Sequence, residues 1–175
     1  DGGKRDARVQ ITHGNLAMGA NNHDAPGQDI VVTDDFMLSE PLPFESQSKL
    51  INVSTRGYVS TGDGILIAGF VIQGNEPKTV LVRGVGPSLA QYVSGTLANP
   101  ALDIVDGSGN VVAANDNWDT SLLVEQVSTA VGAFALTPNS NDAATVVVLN
   151  PGSYTVRVSG VNNSTGIAIV EAYEF

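Results

Sequence analysis

The alternation of apolar and polar residues predicts a series of short β-strands from residue 50 to the C-terminus. Runs rich in Val, Ile, Thr and aromatic residues are separated by turn sequences such as Asn150-Pro151-Gly152. The predicted strands cover residues 50–59, 65–73, 79–83, 101–105, 110–114, 143–149, 154–159 and 167–175. Many short strands with turns between them are typical of two packed sheets, so we predict an all-β fold, an antiparallel β-sandwich that is jelly-roll-like.

Two of these strands carry contrasting patterns. Residues 65–72 are apolar on both faces, which predicts a central strand that is covered on either side and lies deep in the core. In the strand at 154–159, Tyr154, Val156 and Val158 alternate with polar residues, so these three should point inward.

One segment has helical periodicity. Apolar residues recur there at helical spacing: Leu123, Val127, Ala130, Val131 and Phe134. Candidate N-caps precede them at Asp119, Thr120 and Ser121. We therefore predict one short helix near residues 120–134.

The first 48 residues form an N-terminal extension. Strands are predicted at 7–12 and 29–38, and Pro41 and Pro43 mark a connector before the sandwich domain, which we assign to residues 49–175. Val9 and Ile11 face the same way, so the first strand could add to an open sheet edge of another copy. Pairing of this strand within its own chain is the alternative.

Composition narrows the class of partner. Hydrophobic residues make up 42% of the chain and charged residues 15%, which indicates a folded protein. The formal net charge of −10 would repel phosphate backbones, so we expect no nucleic-acid partner. No apolar run reaches the roughly 18 residues that span a bilayer, so we expect no transmembrane segment. The absence of cysteine excludes disulfides, thiolate catalysis and cysteine-based zinc sites.

The chain lacks the common catalytic motifs. Residues 83–88 (RGVGPS) fit neither a phosphate-binding loop nor a dinucleotide fingerprint, so we assign their glycines to backbone geometry at a sheet edge or bulge. A Gly-x-Ser-x-Gly elbow is missing. His13 and His23 have no further ligands at metal-binding spacing. We expect a protein that is not an enzyme.

The segment Asn115–Asp119 is the most suggestive polar cluster. Oxygen atoms on a tight loop suit Ca²⁺, so Asp116, Asn117 and Asp119 are the candidate ligands of a calcium site. Asp and Asn also cap helices and make turns, and this cluster directly precedes the predicted helix. We favour the structural role, with Trp118 as a core anchor. No cofactor is required, and Ca²⁺ is the one candidate.

From about residue 50 the sequence resembles a β-sandwich module of secreted and surface proteins of environmental bacteria. The resemblance rests on NVSTRGYVSTGDGILIAGFVIQG, PKTVLVRGVGPSL, LDIVDGSGNVVAANDNW, LNPGSYTVRVSG and TGIAIVEAYEF. The second half is also similar to domains of the pre-peptidase C-terminal type, with the same order of hairpin, Asn-Asp-Asn loop and Pro-Gly-x-Tyr strand. The resemblance implies an extracellular or cell-surface location. In that family some copies bind Ca²⁺ and some attach to matrix or polysaccharide, and only Asp116 and its neighbours match here.

Two functions follow as expectations. The first is a non-enzymatic structural subunit of an extracellular bacterial assembly, a filament or surface layer, in which copies of the chain bind one another by N-terminal strand addition. The second is an adhesion module that binds glycan or matrix with the help of Ca²⁺. The extension lies outside the resemblance and holds no catalytic domain that an accessory module would serve, which favours the self-assembling subunit.

Overall fold

The computed structural model describes residues 51–175 with their side chains and residues 6–12 and 15–21 by their backbone pairing. The chain divides into two compact units, Asp1–Gln47 and Ser48–Phe175. The strand predicted at 29–38 and the connector around Pro41 lie outside the described residues.

The described part of the N-terminal unit is an antiparallel ladder of β1 (Asp6–Thr12) and β2 (Asn15–Asn21). Its register places Val9 opposite Met18 and Ile11 opposite Leu16. The first strand was predicted from its period-two pattern. The second strand was not predicted, because its sequence NLAMGAN contains no β-branched residue.

The second unit contains eight strands in two four-stranded antiparallel sheets. The strands are β3 (Asn52–Val59), β4 (Leu66–Ile72), β5 (Lys78–Val85), β6 (Pro100–Asp106), β7 (Val111–Asn115), β8 (Ala143–Leu149), β9 (Gly152–Gly160) and β10 (Gly166–Glu174). Sheet I has the order β3-β10-β5-β8 and sheet II the order β4-β9-β6-β7. Consecutive strands repeatedly cross between the two sheets, as in a jelly roll. The predicted fold class is confirmed.

The main core lies between the two sheets. Val156 and Val158 of β9 point inward and are fully buried, as their alternation predicted. They pack with Leu102 and Ile104 of β6 and with Val82 of sheet I. Each strand contributes every second side chain, so burial of one face fixes the register of the whole ladder.

A second core lies on the other face of sheet I, beneath the helix α1 (Leu122–Ala130). Trp118, Val124 and Val127 pack there against Leu81 of β5. The helix begins after Ser121, one of the predicted caps, and ends earlier than predicted because Gly132 adopts a φ of 73°. Leu123 was expected on the apolar face and is exposed instead. In the described part of the chain, α1 included, no helix has the length and apolar character needed to cross a membrane.

The strand β4 corrects one prediction. Residues 65–72 were expected to form a deeply buried central strand, but β4 is an edge strand of sheet II. Ile67 and Val71 on its outer face are 54% and 62% exposed, whereas Leu66 and Phe70 pack against the core. An apolar sequence on both faces normally indicates double coverage, and here one of the two faces is uncovered.

The glycines of residues 83–88 also differ from their prediction in location. Gly84 lies in β5, an inner strand of sheet I, and a Cβ atom there would lie 3.2 Å from Cγ2 of Val158 in the facing sheet. A Cβ atom on Gly86 would lie 2.1 Å from the carbonyl oxygen of Leu97. These glycines permit close approach inside the fold and do not mark a sheet edge or bulge.

Candidate functional site: the open flank of the sandwich

The sandwich has two flanks where edge strands of the two sheets meet. The flank formed by β7 and β8, here called the closed flank, is bridged at the end where β7 finishes and β8 begins. Asn115 at the end of β7 accepts a hydrogen bond at Oδ1 from the backbone N–H of Ala144 in β8, at 2.9 Å. Its Nδ2 donates to the carbonyl of Asn117 at 2.8 Å. The N–H of Trp118 donates to the carbonyl of Asp142 at 2.9 Å. The segment after β7 is thereby joined to β8 and to the residue before it.

The carboxylate of Asp142 fixes the neighbouring loops at the same flank. This fully buried side chain accepts hydrogen bonds from the N–H of Gly86 at 2.8 Å and from the hydroxyl of Ser140 at 2.5 Å. It also accepts one from the hydroxyl of Ser88. Ser140 in turn accepts the indole N–H of Trp118 at 3.1 Å, so the predicted core anchor is held in place by the same cluster.

The candidate calcium ligands lie on the surface of this closed flank. The side chains of Asp116 and Asp119 are exposed and Asn117 is half-buried. Among the described residues, no group of three or more His, Cys, Asp or Glu side chains converges as metal ligands would. The structure shows that Asn115 and Trp118 of this segment form hydrogen bonds to Ala144 and Asp142. Calcium binding by Asp116, Asn117 and Asp119 stays a prediction.

Calcium titration of chelator-treated protein tests that prediction. A ligand that binds the native state alone must raise the thermal midpoint, and at 100 times its Kd it adds about 2.7 kcal/mol. Calcium binding by this segment would give a rise with Ca²⁺ that Asp116→Asn reduces. An unchanged midpoint at millimolar Ca²⁺ would remove the calcium site.

The opposite flank, between β3 and β4, is open. Val53 and Thr55 lie opposite Ala172 and Val170 of β10 in the ladder, so all four belong to the inner face of sheet I. Ala172 and Val170 are buried, whereas Val53 is 39% exposed and Thr55 is exposed. The first half of β3 therefore overhangs the core, with inner-face side chains exposed at its edge.

The strand β4 forms the other side of the open flank. Its inner-face residues are half-buried, although the β9 residues opposite two of them, Val156 and Val158, are fully buried. These inner-face residues are Leu66, Ala68, Phe70 and Ile72. The strand contains neither a charged residue nor proline, and no described strand pairs with its free edge. Natural edge strands usually carry such features, because they prevent pairing with other chains.

A cleft of about 460 Å³ opens between the two edge strands. Phe70 and Ile72 line it from sheet II, and Val53, Val80 and Ala172 line it from sheet I. At its rim Lys78 and Glu174 form an ion pair at 3.0 Å. The walls offer apolar contact and the free edges offer backbone donors and acceptors, which together suit an extended peptide segment.

The buried ionisable cluster of the domain lies elsewhere, under the helix. Arg83 and Glu171 pair through Nε and Oε2 at 2.8 Å, and Arg83 also donates to the carbonyl of Phe134 at 2.6 Å. The hydroxyl of Tyr173 donates to Glu171 at 3.1 Å. Burial and, secondarily, the Glu171 carboxylate raise the pKa of Tyr173. The hydrogen bond from Arg83 to Phe134 fastens the segment after α1 to sheet I, and the buried Glu171 neutralises the Arg83 charge.

Only some of the residues of the open flank were identified from the sequence. Residues 65–72 were singled out for the wrong reason, as core, and Val53 and Thr55 were not singled out at all. Positions 9 and 11, predicted for assembly, lie in β1 of the other unit. Their role stays a prediction.

Comparison with known proteins gives a structural likeness but no sequence match. No protein-family model matches the chain, and no curated protein matches it significantly in sequence. Among solved structures, the chain is similar to the pre-peptidase C-terminal domain of collagenase from Bacillus anthracis, with 15% identity and a TM-score of 0.43 over 70% of this chain and 89% of that one. At this identity and TM-score we draw no conclusion from the match, and the proposals below rest on this chain's own strands and side chains.

Proposed function

We propose that this protein is a non-enzymatic structural subunit of an extracellular bacterial assembly, a filament or surface layer. Copies join when the N-terminal strand of one adds to the open flank of the next. The observation that carries the proposal is that flank, where β4 presents an uncharged free edge beside an apolar cleft. Exposed apolar surface of this kind indicates an interaction site.

The N-terminal ladder supplies a suitable donor. Two strands alone are at best marginally stable in water, whereas three or more strands with a covered face are stable. In the described backbone β1 pairs with β2 along one edge, which leaves its other edge available. Pairing within the chain and pairing with a neighbour are therefore compatible, since each uses a different edge of β1.

The closed flank gives the assembly its direction. Asn115 and Trp118 join the end of β7 to β8, so one flank of each sandwich is occupied and the other is free. One donor strand and one acceptor flank per copy make a head-to-tail contact. Such a contact produces an open filament unless its rotation closes a ring. Adhesion to glycan or matrix stays a prediction that no particular contact favours.

Removal of residues 1–20 should leave a folded sandwich that no longer polymerises. This deletion takes away β1 and most of β2, while the core of the second unit lies within Ser48–Phe175. Negative-stain electron microscopy and light scattering would compare it with the full chain, and circular dichroism would confirm the fold. Polymers formed by the deleted chain would contradict strand addition.

A substitution pair within β1 provides the matched control. Val9→Lys with Ile11→Lys places two charges at the apolar positions, whereas Gln10→Lys with Thr12→Lys places two charges at the alternate positions of the same strand. We expect polymers from the second variant and dispersed particles from the first. Equal loss in both variants would point to charge alone as the cause.

A further inference from the structure

Resting on the proposed function, we propose that β4 is the strand that receives the donor. The strand β1 of a second copy pairs with the free edge of β4, so that sheet II gains β1 and β2 of its neighbour. The inward-facing side chains of the added strand then fill the cleft between the two sheets. The partner at this site is a second copy of this chain.

The composition of the two edge strands favours β4 over β3. The strand β3 carries Arg56 near its middle, and Tyr58 at its end donates a hydrogen bond to Thr165 at 3.1 Å. A charge on an edge strand is a common protection against pairing with another chain. The strand β4 has no such protection, and its outer-face residues Ile67 and Val71 are among the exposed large hydrophobic residues of the domain.

The position of the cleft also favours β4 as the strand that receives the donor. A strand added to β4 would extend sheet II beside the cleft, where Val53 of β3 lines the opposite wall. It would cover Phe70 and Ile72, which now line the cleft. Addition to β3 would instead place the new strand next to Val53, in the sheet that does not contain Phe70 and Ile72. Pairing with β4 therefore covers two large apolar side chains of the cleft, which favours β4.

Length and charge make β1 the suitable occupant. Both β1 and β4 have seven residues, so at about 3.3 Å per residue each spans roughly 23 Å. The sequence ARVQIT alternates small or aliphatic with polar residues, as one covered face requires. Lys4, Arg5 and Arg8 lie in or just before β1, while exposed acidic residues, Asp63 and Glu76, lie beyond the two ends of β4. The basic residues at the start of β1 would lie near Glu76 in an antiparallel pair or near Asp63 in a parallel pair, so opposite charges at one end of the contact favour the encounter.

Two valines of similar exposure allow a matched test. Val71 on β4 is 62% exposed, and Val148 on β8, the edge strand of the closed flank, is 67% exposed. Lysine at either position should leave the monomer folded, because both side chains are already largely in water. We expect Val71→Lys to lower the polymer yield about tenfold or more, and Val148→Lys to leave it unchanged.

Hydrogen exchange provides a direct measurement on the unmodified protein. Backbone amides in residues 66–72 should exchange more slowly in the polymer than in the monomer, together with those of residues 6–12. Protection of β3 or β8 without β4 would overturn the inference. Normal polymers from Val71→Lys would also overturn it, while the proposed function would survive if Val9→Lys with Ile11→Lys still abolished assembly. If those β1 substitutions had no effect, the proposed function itself would fail.

Discussion

Replacing Glu171 with alanine should destabilise the sandwich domain by about 3–5 kcal/mol, because Arg83 would remain as a buried charge without its counter-ion. Arg83 is fully buried and Glu171 nearly so, and their Nη2 and Oε2 atoms are 2.5 Å apart. The guanidinium also lies 4.4 Å from the ring centre of Phe134. Tyr173 would lose its hydrogen-bond acceptor at the same time. Urea unfolding followed by tryptophan fluorescence would measure the loss.

Asp103→Ala is the control for this measurement. Asp103 and Arg157 form an ion pair at 3.0 Å on the surface of sheet II, with about two fifths of each side chain exposed. Exposed pairs contribute about 0–1 kcal/mol, so this variant should unfold almost like the wild type. Arg83→Met combined with Glu171→Leu should recover much of the stability lost in Glu171→Ala, since it removes both charges together. Equal costs for Glu171→Ala and Asp103→Ala would show that burial of the first pair does not matter.

Local sequence patterns were sufficient to predict the eight strands of the sandwich and the fold class, but not β2. The hairpin of β6 and β7 depends on a short-range device, since Asp106 accepts hydrogen bonds from the N–H groups of Ser108 and Asn110, both at 2.9 Å. The inward residues of β9 follow directly from period two. Each of these features involves residues only a few positions apart, so it can be predicted from the sequence of that segment alone.

The open flank could not be predicted in the same way. Whether an apolar strand is covered on both faces depends on which strands the fold places beside it. A sequence that is apolar on both faces, such as residues 65–72, fits a central strand and equally fits an edge strand that pairs with another chain. The overhang of Val53 arises from the pairing of β3 with β10, strands from opposite ends of the domain. Tertiary arrangement alone determines both features.

The segment Asn115–Asp119 illustrates the same limit for polar residues. Asn and Asp on a loop are compatible with metal binding, helix capping and turns. In the structure Asn115 has another role. It accepts a hydrogen bond from Ala144, 29 residues further along the chain, and so bridges the β7–β8 flank. A side chain that satisfies a distant backbone group has no local signature, so the sequence left its role open.

Asp142→Ala should be comparably damaging, with an expected loss of about 3 kcal/mol or more in the free energy of unfolding. The substitution removes the acceptor of two backbone N–H groups, those of Gly86 and Ser88, and each buried donor left without a partner costs about 1–3 kcal/mol. The hydroxyls of Ser88 and Ser140 lose the same acceptor but can rotate to other partners. The damage should therefore concentrate in the loop that follows β5.

Asp142→Asn separates the loss of hydrogen bonds from the loss of volume. The amide oxygen of asparagine can still accept from the N–H of Gly86, while its NH₂ group can donate to the hydroxyl oxygens of Ser88 and Ser140. We expect its unfolding midpoint in urea to fall between those of the wild type and Asp142→Ala. The Asp142 carboxylate also holds Ser140, whose hydroxyl oxygen accepts the indole N–H of Trp118, so hydrogen exchange in Asp142→Ala should speed up in β8 and remain unchanged in β4. Faster exchange in both edge strands would show that the two flanks are not independent, and the directional assembly proposed above would lose its structural basis.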